Sequence, residues 1–296
     1  MNDIGKKVKD LRKYWKMTQE ELSEGICSQA MISTIEKNEN VYISAQLLYE
    51  ISERLGVTID YFFQDDTKTP TYNYVQETCN QINELIRKRC YSEAYDIVKI
   101  EKNNPQFTNV KHLKQYILWR EAICVNYLKN DKETAEKLYD QALSLSKTSA
   151  KNYSVREIEI LISKAILFNE QGRYVEADEL YSKIIEYAKK SPALTNNVIF
   201  INIYYNAARN ASLMKAFKKA YTLCEQGILT CNKDQSLFML GYLYYLKGQV
   251  KFKLDGKFSE EMLRLYREAL WVFEKNGDEK SFKYVSRKIK KVSYKI

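Results

Sequence analysis

The chain has 296 residues, 45% of them apolar and 29% charged, the balance of a globular protein with room for one to three domains. Nine glycines and three prolines are few, which argues for long uninterrupted helices and against a strand-rich fold. The net charge of +9 suggests an anionic partner, but it does not locate one. Residues 1–64 carry eight basic and ten acidic side chains, a balance of −2, so residues 65–296 carry the remaining +11.

The opening MNDIGKKVKDLRKYWK has no apolar core of a secretory signal, and no stretch is apolar for long enough to span a membrane. A cytoplasmic location without membrane contact is expected. The six cysteines form no C-x-x-C pair, and His112 is the single histidine. Zinc ligands would have to be closely spaced, so no metal and no other cofactor is expected, and the cysteines read as reduced, mostly buried thiols. With no glycine-rich phosphate loop and no nucleophile–base pair, an enzyme is not expected.

Residues 1–64 read as five short helices. The first covers about 4–14, with Ile4, Val8 and Leu11 on one face. The second opens at Thr18 in Thr18-Gln19-Glu20-Glu21, the pattern of a capping box. The third opens at Ser28, with Ile32 and Ile35 inside. Gln29 lies on its flank, and Ala30, Ser33, Thr34 and Lys37 face outward. The fourth covers 44–55 and stops at Gly56, and the fifth lies near 59–63.

Two short helices joined by a tight turn form a DNA-docking unit whose second helix enters the major groove. The stretch TQEELSEGICSQAMISTIEKNEN resembles the xenobiotic-response-element family of helix-turn-helix proteins, which includes the phage repressors. The family often has a glycine where this chain has Cys27-Ser28. The resemblance implies that Gln29, Ala30, Ser33 and Thr34 face bases. Gln19 and Ser28, at helix N-termini, would hold phosphates, and Arg12 would pair with Glu36.

Residues 65–75 are polar, contain Pro70 and read as a linker. Beyond them a repeat appears over 76–277. Small or apolar residues recur at 94, 135, 177, 220 and 262, successive steps of 41, 42, 43 and 42. An aromatic stands three positions before the alanine in Tyr91/Ala94, Tyr174/Ala177 and Phe217/Ala220. Five units at near-constant period indicate an α-solenoid. The unit GRYVEADELYSKII resembles a tetratricopeptide repeat, which implies a right-handed superhelix of helical hairpins. Residues 278–296, dense in lysine and arginine, read as a polar capping helix.

The inner wall of such an array comes mainly from the first helix of each pair, here about 76–90, 112–128, 156–171, 197–212 and 236–253. These carry Asn202, Asn206 and Arg209, then Tyr242, Tyr245 and Gln249, with Arg87 and Arg89 near the first hairpin turn. Asparagine can clamp a peptide backbone, and arginine can hold a carboxylate. Tyrosine stripes of this kind also serve as packing between helices.

The whole chain, with Tyr205-Asn206, Leu-Tyr-Tyr-x-x-Gly at 243–248 and the basic pair before Tyr91, resembles the PlcR-like branch of peptide-sensing quorum regulators. That resemblance implies a homodimer on an inverted-repeat double-stranded DNA site and a short signalling peptide as effector. Two alternatives stay open at this point. The repeats would bind another protein instead, or the chain would regulate an enzyme or a response regulator.

Overall fold

A computed structural model describes residues 4–37, 42–63, 70–146, 153–190 and 197–293. Every regular element among them is an α-helix. The chain divides into two compact units, residues 1–80 and 81–296.

The first unit holds α1 (Ile4–Tyr14), α2 (Gln19–Ser23), α3 (Gln29–Lys37), α4 (Ala45–Leu55) and α5 (Asp60–Phe63). Val8, Leu22, Ile32, Ile35, Ile51 and Phe62 close its core. The helices start where the sequence supplies an oxygen for their orphan amides. Thr18 and Glu21 complete a capping box on α2, and Ser44 accepts from the Leu47 amide on α4. Gly56 ends α4 in the left-handed conformation at φ 71°. In the turn between α2 and α3 the left-handed residue is Gly25, at φ 70°, two positions before the site where the family's glycine was expected. Arg54 fastens this turn by donating to the Glu21 and Glu24 carbonyls, both at 2.8 Å.

Helix α6 runs Pro70–Lys88, so residues 70–75 are helical and not part of a linker. Proline has no amide to lose at a first helical turn and its φ suits one, which makes Pro70 a helix starter here. Residues 65–69 lie outside the described residues. The division between units falls inside α6, after residue 80, and not at residue 64.

The second unit continues through α7 (Tyr91–Glu101), α8 (Pro105–Thr108), α9 (Lys111–Lys129), α10 (Lys132–Ser144), α11 (Val155–Glu170) and α12 (Tyr174–Lys190). It ends with α13 (Asn197–Leu213), α14 (Phe217–Lys233), α15 (Leu240–Asp255), α16 (Glu260–Lys275) and α17 (Glu279–Ser293). From α9 to α17 each helix packs on the next, and α7 and α8 pack on α9. The recurring residues all lie on the second helix of a pair: Ala94, Ala135, Ala177, Ala220 and Met262 are fully buried on α7, α10, α12, α14 and α16. A small side chain there lets two helices cross closely. The four-residue α8, capped by Asn104 with Pro105 at its start, was not expected, and it lengthens the first repeat.

Two contacts set the later repeats. Gly248 on α15 faces Tyr266 of α16, where an added Cβ would come within 2.6 Å of the ring. Asn210 is completely buried on α13; it accepts from the Asn169 amide at 2.8 Å and donates to the Tyr174 carbonyl at 2.9 Å. It thereby ties three helices through fully satisfied polar groups. α17 rests Phe282, Val285 and Ile289 on the cluster built by Met262, Tyr266 and Phe273.

All six cysteines are free thiols. Burial pushes Cys124 and Cys224 up to about 12, which keeps them protonated at neutral pH.

Candidate functional site

Helix α3 is the one for which DNA contact is expected from the sequence. Gln29, Ala30 and Lys37 are exposed, Ser33 and Thr34 are half-buried, and Ile32 and Ile35 are inside. Met31, which an apolar reading would bury, is also exposed; its place in the first turn of α3 puts it beside Ala30 on the outer face. Ser28 caps α3 through its hydroxyl, which accepts from the Met31 amide at 3.2 Å, and Thr34 donates to the Ala30 carbonyl at 2.8 Å.

A polar chain underlies this face. Arg12 of α1 grips Glu36 of α3 with two parallel bonds, at 2.5 and 2.8 Å. The Gln19 amide donates to the second Glu36 oxygen at 2.9 Å, and Gln29 donates to the Gln19 carbonyl oxygen at 2.7 Å. Burial alone would raise the Glu36 carboxyl. Hydrogen bonds from Arg12 and Gln19 and the Arg12 charge outweigh it, and the net effect is a lowered pKa. The pairing of Arg12 with Glu36 therefore exists, and it reaches further than a pair. The Gln19 side chain has internal partners at both its oxygen and its nitrogen, so for a phosphate it offers chiefly its backbone amide at the start of α2.

The second unit gathers part of the predicted groove. Arg89, in the turn between α6 and α7, has left-handed φ of 63° and is exposed. Burial raises the Tyr205 hydroxyl, while the charges of Arg209 and Arg89 both act to lower it. The charges of Arg209 and Arg89, far apart in sequence, thus both act on one tyrosine. Glu170 is the acidic counterpart, accepting from Asn126 and from the Tyr127 hydroxyl, each at 2.8 Å. Tyr127 in turn stacks on Tyr91, with ring centroids 4.5 Å apart. None of Tyr91, Tyr127 and Glu170 was singled out as a ligand contact from sequence. The 44-residue offset between Asn126 and Glu170, one repeat plus two, was the available signal.

The other predicted groove residues divide. Arg87 is exposed on the last turn of α6. Asn202 and Asn206 are half-buried one turn apart, and the Asn206 amide donates to the Asn202 carbonyl at 2.9 Å. Tyr242 touches Tyr205, but its hydroxyl donates to Asp278 at 2.7 Å. Tyr245 packs against Tyr266 and Tyr284 and accepts from Gln249 at 3.0 Å. Tyr242 and Tyr245 are thus engaged with α16, α17 and the turn between them, as inter-helix packing, while Gln249 bonds within α15.

A cavity of about 190 Å³ lies along the first helices of the early repeats, lined by Ile86, Tyr91, Ile123, Tyr127, Ser163 and Ile166 among others. Among the described residues, no group of three or more His, Cys, Asp or Glu could hold a metal ion, and no helix is long and apolar enough to cross a membrane.

The C-terminal domain of the RNPP family matches residues 79–293, and a helix-turn-helix family matches residues 8–62. The chain belongs to the RNPP family. Its fold is that of RNPP structures already solved. Bacillus thuringiensis PlcR in complex with the peptide PapR7 and DNA aligns over 96% of this chain and 99% of its own, at 22% identity and a TM-score of 0.78. PlcR in its apo form aligns over 98% and 100%, at 20% identity and a TM-score of 0.67. ComR from S. thermophilus, in complex with DNA and its signalling peptide ComS, aligns over 96% and 97%, at 16% identity and 0.64. No curated protein matches the sequence. The RNPP assignment makes the helical array a member of a defined domain family, where the 41–43-residue period alone showed only a solenoid.

Proposed function

We propose that this RNPP chain is a cytoplasmic transcription regulator. It binds an inverted-repeat operator as a homodimer through α3, and a short signalling peptide through the inner wall of its repeats. The observation that carries the reading is the presence, in one chain, of a capped helix-turn-helix and an RNPP C-terminal domain. The solved complexes of PlcR and ComR with both DNA and peptide support it. The reading assigns the chain no enzymatic reaction.

On the DNA side, Gln29 reads a base edge, with Ala30, Ser33 and Thr34 beside it, while Ser28, Lys37 and the amide of Gln19 hold the backbone. On the peptide side, Asn202 and Asn206 clamp main-chain groups. Arg87, Arg89 and Arg209 supply positive charge, the last two acting on Tyr205. The peptide favours one of two arrangements of the dimer and thereby shifts its affinity for paired half-sites. Selection of duplexes from a random pool by the full-length protein tests this. The expected product is a palindromic site with half-sites about one helical turn, ~34 Å, or a multiple apart. A pool that stays unenriched overturns the reading.

A further inference from the structure

Arg120 of α9 and Arg156 of α11 stand over the same two aromatic rings. The Arg120 guanidinium lies 3.6 Å from the Trp119 ring centre and 5.0 Å from that of Tyr116; Arg156 lies 5.5 and 5.0 Å from the same two. Tyr116 donates its hydroxyl to Asn83 at 2.9 Å, and Trp119 its indole N–H to Ser163 at 2.9 Å. The aromatic platform is therefore fixed by bonds to α6 and α11.

The two cations are poorly compensated. Among the described residues Glu159 is the only carboxylate in ion-pair range of either, 3.6 Å from Arg156, beyond hydrogen-bond reach. Arg120 bonds Tyr116 but forms no ion pair among the described residues. Arg120 Nε and Arg156 Nη1 are buried without an acceptor. Orphaned buried donors are costly, and an Arg fork is the group best shaped to take a carboxylate in two parallel bonds. The site is also reachable, since the side chains of Arg156 and Glu159 are each 38% exposed.

Position connects this pair to the groove. Arg120 is one turn from Ile123 on α9, and Glu159 is one turn from Ser163 on α11, where residues three or four apart share a face. Ile123 and Ser163 both line the 190 Å³ cavity. We propose that Arg120 and Arg156 form a carboxylate-binding subsite at one end of this cavity, which takes either an acidic side chain or the terminal carboxylate of the bound peptide. The proposal rests on the reading of the repeats as a peptide receptor.

Two synthetic pools of randomised heptapeptides, one with free and one with amidated C-termini, are passed over immobilised full-length protein. Retained peptides are identified by mass spectrometry. An acidic side chain as the source gives enrichment of Asp or Glu at one position in both pools; a terminal carboxylate as the source gives retention from the free-acid pool alone. Either preference should vanish in Arg120→Gln and in Arg156→Gln, with affinity for the preferred peptide about tenfold weaker. Arg156 is partly exposed, so its variant serves should Arg120→Gln fail to fold. Retention with no carboxylate preference, or with a preference that survives both substitutions, overturns the subsite and leaves the peptide reading standing. If neither pool is retained, the peptide reading falls. Titration with succinate at constant ionic strength then decides the subsite alone. A saturable change in tryptophan emission that is lost in both variants supports it, and an emission that does not change, or changes equally in the variants, overturns it.

Discussion

The side-chain amide of Gln29 donates to the carbonyl oxygen of Gln19 at 2.7 Å. The residue proposed to read a base thus leans on the residue at the start of α2 proposed to border the DNA backbone. Through Gln19 and Glu36 it is linked on to Arg12. The two glutamines cannot act independently while this bond stands. Gln29→Ala is expected to cost about 1–3 kcal/mol on the preferred operator and to relax sequence preference at one position. Gln19→Ala keeps the backbone amide proposed to face a phosphate but removes the partner that holds Gln29, so it should weaken binding chiefly to the preferred operator and leave binding to scrambled duplexes nearly unchanged. The double variant should depart from additivity by at least about 0.5 kcal/mol. Titrations of wild type and all three variants against operator and scrambled duplexes measure this; strict additivity would show that the bond does not shape the DNA face.

The Glu36 carboxyl gives the first unit an acid-sensitive joint. Its pKa in the folded chain is lowered from 4.5 by Arg12 and Gln19, against burial. A depressed carboxylate contributes stability that is fully present above its unfolded pKa and is lost as pH falls through the lower folded value. Melting of the chain below pH 4.5 should therefore be less steep in pH for Glu36→Gln than for wild type. Glu36 is buried and Arg12 nearly so, so solvent screens the pair little and the difference between the two proteins should be measurable. Equal acid profiles for the two proteins would count against the joint.

Two asparagines one turn apart on α13 should behave differently. Asn210 is buried and holds α11 and the start of α12, so Asn210→Ala leaves partners unpaired and should cost about 1–3 kcal/mol of stability. Among the described residues the Asn206 amide bonds within its own helix, so Asn206→Ala should be nearly neutral in a urea melt. It should nonetheless weaken peptide binding by about 1–3 kcal/mol. A urea midpoint that falls as far for Asn206→Ala as for Asn210→Ala would place Asn206 in the scaffold instead.

Gly248→Ala tests the close approach of α15 and α16. The new methyl would meet the Tyr266 ring, which is itself buried, so helix propensity and packing oppose each other. Alanine is favoured over glycine in a helix interior by about 1 kcal/mol, whereas overpacking a core costs about 1–3 kcal/mol. The contact is expected to win and the melting temperature to fall. A rise would mean that Tyr266 moves aside freely.

The second unit is expected to carry the dimer, since single helix-turn-helix heads bind weakly and half-site operators demand two of them. Sedimentation of the full chain at micromolar concentration should show a dimer, and a monomer both with and without operator would contradict it.

What the sequence determined by itself was local. Thr18 and Glu21, Ser44 and Gly56 set where helices begin and end, and the structure has those boundaries, because caps act between residues a few positions apart. The buried face of α3 and the alanines at 94, 135, 177 and 220 were legible for the same reason: periodicity is a property of one helix. Pro70 was misread, since the same residue that breaks a helix interior also starts one. Only the tertiary structure decided which polar groups meet. That Gln19 joins Gln29 to Glu36, that Tyr242 is taken by Asp278, and that Arg120 and Arg156 share one aromatic platform are facts about residues from separate segments of the chain. A hydrogen bond or cation–π contact depends on distances of a few ångströms. Those distances are set by how helices cross, which no spacing along a single chain segment encodes.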